Sequence, residues 1–288
     1  MTIVWAGLSV GAIYVIIAVG YNTTLALGGV FNFAQGAFVI LGAFLSWFLM
    51  AEQNWPWWAA AVSGALVCAL VATAAELVAI RPVLRRKGSH AVLVTTVGVA
   101  VVIEGLLFAT WGAIPRSLEF FGGTEALTLL GGRLAPVDFW LIIIAIVTAT
   151  AMHLVLRKTR WGLCARAASE DAEAAAARGI NVPALRTGAF AVAGGLAGLL
   201  GPVIGPKAGI TVSVGISLTI FGFIALAIGG FGSFLGTLLG GFFIGLIQAL
   251  CARYLGVEYP PLILFVLLLA ILLLKPTGLF GRRALRTV

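Results

Sequence analysis

The stretch IVWAGLSVGAIYVIIAVGYNTTLAL, residues 3–27, decides the fold class. It runs for 25 residues without a charge. A helix needs about 20 mostly apolar residues to cross a bilayer, so the segment is long enough to span. The pattern recurs along the chain. Further apolar spans are expected at about 37–51, 57–80, 91–111, 137–156, 184–204, 216–231, 234–254 and 260–274, nine in all. A β-barrel would instead show alternating segments of roughly ten residues, and none is found. The expected architecture is an all-α, polytopic transmembrane helix bundle of about 8–10 spans. It forms a single domain over residues 1–288, and its longest polar stretch lies at 157–183.

Composition agrees. The chain has 288 residues, 61% hydrophobic and 10% charged, with a mean hydropathy of +1.14. Soluble domains carry about 25% charged residues. The net charge of +8 excludes no partner by itself. Its cations, however, sit in short connections between apolar spans, which is the positive-inside pattern and not a nucleic-acid face. Threading nine spans with Arg81–Lys87 inside puts 14 of the 18 Lys and Arg on that side. Arg116, Arg133, Lys207 and Arg253 fall outside. The expected orientation is N-out and C-in, with Trp55, Trp57 and Trp58 at the outer interface. Arg116, Glu119, Glu125 and Arg133 occupy a longer outer segment. Met1 and Thr2 run directly into the first span without a basic leader, so no cleavable signal peptide is expected.

Several chemistries lack their residues. None of Lys87, Lys158, Lys207 and Lys275 follows the glycine pattern of a phosphate-cradling loop, so ATP hydrolysis by such a loop is excluded. Energy must come from a partner or an ion gradient. His90 and His153 sit at the ends of different spans, and Cys68, Cys164 and Cys251 form no ligand spacing. Neither a metal nor a cofactor is expected, and no catalytic residues converge. The 37 glycines cluster within spans, as in Gly194, Gly195, Gly198 and Gly201, or Gly236, Gly240, Gly241 and Gly245. In lipid, small residues at four-residue spacing let helices approach closely.

Residues 169–181, SEDAEAAAARGIN, read as a short helix. Ser169 suits the N-cap. Glu170, Asp171 and Glu173 suit the positive dipole end, and Gly179 suits a left-handed C-terminus. Ala174 and Ala177 would share a small-residue face. A solvated connector would look similar. The order of motifs distinguishes the two. Glu173-Ala174-Ala175, followed after three residues by Gly179, resembles the EAA loop of binding-protein-dependent ABC importer permeases. The wider stretch 166–181 resembles the branched-chain amino acid permeases of the high-affinity systems. So do Gly7–Tyr14, Asn32–Gly36, Arg81-Pro82, Gly229–Ser233 with Gly236 and Gly240-Gly241, and Lys275–Gly281. Gln35 stands where that family commonly has histidine, and the Ile-x-Leu-Pro ending of the general EAA motif is absent.

The resemblance implies one half of a translocation pathway in a bacterial inner membrane, in a transporter and not an enzyme. A second related permease would complete the pore. Two ATP-binding subunits would dock on a cytoplasmic coupling loop, 157–183, through Glu170, Asp171, Glu173, Ala174, Ala175, Arg178 and Gly179. An extracytoplasmic solute-binding protein would deliver a branched-chain amino acid or a related small polar solute such as urea, an amide or an aromatic acid. The alternative is a secondary transporter driven by an ion gradient, which would use intramembrane ionisable residues. Of these only Glu104 is clear. Polar residues inside spans are costly and face a cavity or another helix. Asn22, Thr23, Asn32, Gln35 and Glu104 are therefore the candidate substrate-pathway residues, with interhelical hydrogen bonding as the competing role.

Overall fold

In the computed structural model, residues 1–87, 89–123, 127–129, 132–275 and 278–281 are described. Glu125, Pro276, Thr277, Arg282, Arg283 and Arg286 lie outside the described residues, as do the side chains of Arg86, Lys87 and His90. Among the described residues, eight helices have the length and apolarity to cross a membrane, and Pro260–Leu274 is a shorter apolar one. Helix α1 (Thr2–Gly28) differs by one residue at each end from the expected first span. Helix α2 (Gln35–Trp47) continues through a widened turn, Phe48–Glu52. Helix α3 (Trp57–Ala75) passes through a second widened turn, Glu76–Ile80, into α4 (Arg81–Lys87). The basic loop expected at 81–87 is thus a helical extension of its span. Helices α5 (Ser89–Trp111) and α6 (Pro136–Lys158) flank the segment expected outside, which holds the antiparallel strands β1 (Leu127–Leu129) and β2 (Gly132–Leu134).

Between α6 and the next span lie α7 (Arg160–Glu170) and α8 (Ala172–Ala177). The expected sixth span is broken at Leu200 into α9 (Val182–Leu199) and α10 (Gly201–Ala208). Pro202, near the start of α10, has no N–H to continue the ladder from the preceding turn. Then follow α11 (Val212–Gly229), α12 (Phe234–Tyr254) and α13 (Pro260–Leu274).

The centre of the bundle is α1, with residues 11–24 all buried. Its neighbours approach at glycine. A methyl on Gly11 would sit 2.7 Å from the Gly241 carbonyl oxygen, and one on Gly7 would lie 3.0 Å from Leu246 Cα. The glycine series behaves as expected: Gly194 and Gly198 face Cys68 and Gly64 on α3, Gly201 faces Gly42 on α2, and Gly240 faces Gly229 and Ala225 on α11. Helices are held here by van der Waals contact between backbones, because lipid supplies no hydrophobic drive between spans.

Candidate functional site

Two places bring the expected site residues together. The first is the polar connection. Thr159 caps α7 by accepting from the Gly162 N–H at 3.1 Å. At Asp171 the backbone opens to φ −150°, and its carboxylate accepts from Glu173 and Ala174 N–H, each at 2.9 Å. Asp171, and not Ser169, is therefore the cap of the alanine-rich helix. Ser169 is inside α7, where its hydroxyl donates to the Arg166 carbonyl at 2.8 Å. Both residue types cap well, and the break at Asp171 decides between them. Glu170 consequently ends α7 and does not begin α8. Gly179, at φ +86°, gives the left-handed end that a side chain would strain. Of α8 only Ala175 is buried; Glu173, Ala174, Arg178 and Gly179 stand out from the bundle.

The second place is the break between α1 and α2. Residues 29–34 are non-helical yet buried or half-buried from Val30 on, with Asn32 1% exposed and Ala34 fully buried. Such backbone survives at membrane depth only when protein or a cavity covers it. Asn32 Oδ1 accepts from the Ala34 N–H at 3.1 Å, and the Phe33 N–H donates to Thr96 at 3.3 Å. Gln35 Nε2 donates to the Ala193 carbonyl at 3.0 Å, in room left by Gly20. Asn32 Nδ2 and Gln35 Oε1 are buried and without a hydrogen-bond partner among the described residues.

The remaining pathway candidates separate. Asn22 is fully buried and ties α1 to α12. Its Nδ2 donates to Thr237 at 2.8 Å, and its Oδ1 accepts from the Gly232 N–H at 2.7 Å. Thr23 donates to the Val19 carbonyl within its own helix. Glu104, alone of the five, reaches the surface of the subunit.

Polar clusters at the two ends of the bundle are missed by the sequence reading. At the end carrying α7 and α8, fully buried Glu76 binds Arg81 at 2.9 and 3.1 Å, and Thr187 of α9 donates to the same carboxylate at 3.0 Å. The i→i+5 winding of the widened turn brings Arg81 back over Glu76. Arg186 reaches the Gly28 carbonyl at 3.1 Å. At the opposite end, Asp138 pairs with Lys207 at 2.6 Å and accepts from Ser9 at 2.6 Å, joining α6, α10 and α1. There Arg116 lies over the Trp47 ring at 4.5 Å. Glu76 carries a readable signal, an acid inside an apolar span; the partner of Asp138 is set only by the fold.

A polytopic bundle with an unwound, polar-lined break and a projecting helix between spans is the architecture of a membrane transport permease. The family model described as "Branched-chain amino acid transport system / permease component" matches residues 3–273, and the chain belongs to that family. It is 30% identical over 289 residues to the "High-affinity branched-chain amino acid transport system permease protein LivH" of Escherichia coli K12, covering 96% of this chain and 94% of the relative. Identity to the protein of the same system named BraD in Pseudomonas aeruginosa is 27% over 292 residues, covering 96% and 94%. A "probable branched-chain amino acid transport permease protein LivH" of Methanocaldococcus jannaschii is 27% identical over 286 residues, covering 93% and 88%. No solved structure matches. The chain is a multi-pass inner-membrane transport protein.

Proposed function

We propose that this chain forms one half of the translocation pathway of an ATP-driven importer for branched-chain amino acids. A second related permease completes the pore, two ATP-binding subunits supply energy, and an extracytoplasmic solute-binding protein delivers substrate. The orientation is N-out and C-in, which places α7 and α8 in the cytoplasm beside most of the Lys and Arg.

The observation that carries this reading is the exposure of α8. A short helix capped at both ends, with Ala175 its one buried residue, presents Glu173, Ala174, Arg178 and Gly179 to another surface. Asp171 and Gly179 set its ends, and Glu170 sits at the joint with α7. Displacement of α8 passes along Asn181 into α9, whose Arg186 and Thr187 grip α1 and the α3–α4 turn. Asn32 and Gln35 offer polar atoms to the pathway when the bundle opens. Asn22 and Thr23 contribute by holding α1.

In the reconstituted transporter, Gly179→Arg reduces substrate-stimulated ATP hydrolysis and uptake together while insertion is retained. Stimulation equal to wild type in that variant refutes docking at α8.

A further inference from the structure

Glu104 lies on α5, seven residues from Trp111, about 10 Å along the helix. That depth is inside the hydrocarbon of a bilayer about 30 Å thick. Its carboxylate has no hydrogen-bond or ion-pair partner among the described residues, and it is half-buried, not enclosed. An acid left against acyl chains at this depth costs several kcal/mol, which favours a polar group over lipid beside Glu104.

The neighbourhood agrees. Glu104 Oε1 and the Gly36 carbonyl both come within 4 Å of the point where a Gly215 side chain would sit, 2.9 and 3.7 Å respectively. The acid therefore rests against α11 at Gly215, beside the contact of α11 with Gly36, the residue after Gln35. Around the acid α5 is aliphatic and aromatic, with Val101 and Phe108 one turn away and Val97 two turns away on its side of the helix. Val97, Val101 and Phe108, 47–62% exposed, make an apolar wall beside this carboxylate. A carboxylate acceptor set in apolar surface is complementary to a primary ammonium group attached to an aliphatic body.

We propose that Glu104 is a substrate-contacting residue that receives the ammonium group of the amino acid as it crosses the bilayer. This rests on the importer reading above. Ammonium–carboxylate pairing is a charge-assisted contact, stronger than a neutral hydrogen bond. It favours cationic amines over the urea and amide alternatives, which carry no ammonium group.

The test uses the complete transporter, with its second permease, ATPase subunits and binding protein, in liposomes containing ATP. Initial uptake of leucine is measured for wild type, Glu104→Asp, Glu104→Gln, Glu104→Met and Glu104→Lys, together with the amount of each co-purified subunit. The expected order follows charge. Aspartate retains most uptake, glutamine and methionine lose about tenfold, and lysine, which repels the ammonium group, loses more. Subunit recovery is the same throughout. Equal uptake by wild type and the glutamine and lysine variants overturns the proposal. So does loss of the second permease from the glutamine variant, because Glu104 would then be an interface residue. Wild-type uptake that proceeds without the ATPase subunits would instead fail the importer reading, and the two failures are told apart by the wild-type lanes alone.

Discussion

Replacing Asp171 separates two roles that its carboxylate combines. As the cap of α8 it accepts two N–H groups at 2.9 Å. As an anion it shares an exposed segment with the charged Glu173 and Arg178. Helix α8 has six residues and buries only Ala175. Isolated helices under about 12 residues are marginal in water, so the cap is a large part of its local stability. Asp→Ala at an N-cap costs about 1 kcal/mol, which is about fivefold in the equilibrium between ordered and frayed forms. If only the ordered form docks, apparent affinity for the ATPase subunits falls by up to that factor. Asparagine caps as well as aspartate, so Asp171→Asn is expected within about twofold of wild type. Titrating purified ATPase subunits into liposomes holding the permeases, and recording half-maximal ATP hydrolysis, measures this. An alanine variant indistinguishable from wild type refutes the capping argument. An asparagine variant as weak as alanine assigns the effect to charge.

Gly198→Leu drives a side chain into the Gly64 carbonyl of α3. Overpacking of this kind costs about 1–3 kcal/mol, and it is expected to lower the melting temperature and the monodisperse yield in detergent. Asp138→Ala strands Lys207 and buried Ser9 and is expected to destabilise by about 2 kcal/mol. The double variant Asp138→Ala/Lys207→Met should lose less than the two single changes combined, and additive loss in thermal unfolding would show that the pair is not coupled. With Cys164 and Cys251 replaced, a cysteine at Glu173 is expected to react with an impermeant maleimide only from the cytoplasmic side. Reaction from the exterior removes α8 from the reach of any ATPase.

The spans were legible because apolar length is a direct requirement of the bilayer, and α1 is bounded within a residue at each end. The failures have particular causes. Gly201-Pro202 inside the expected sixth span already signals the break at Leu200, but the surrounding apolar run conceals it. Ser169 and Asp171 are equally good caps in isolation, and only the end of α7 selects the second. Asn22 and Glu104 look alike in sequence, as polar residues inside apolar helices. One proves to be a fully buried tie and the other reaches the surface. A helix in lipid is apolar on every side, so its polarity does not mark the face that meets the core. The ion pairs of Asp138 and Glu76 join elements far apart or pass through a non-standard turn, and neither follows from α-helical spacing.

The glycine contacts between α3 and α9, and between α1 and α12, have a mechanical result. Where carbonyl rests on Cα there are no rotamers to exchange, and neither partner can slide past the other without a clash. Each pair is therefore stiff and travels as one body. Any rearrangement between such pairs must flex elsewhere, and the helical ladder is already broken at Leu200 and at the uncoiled residues 29–34.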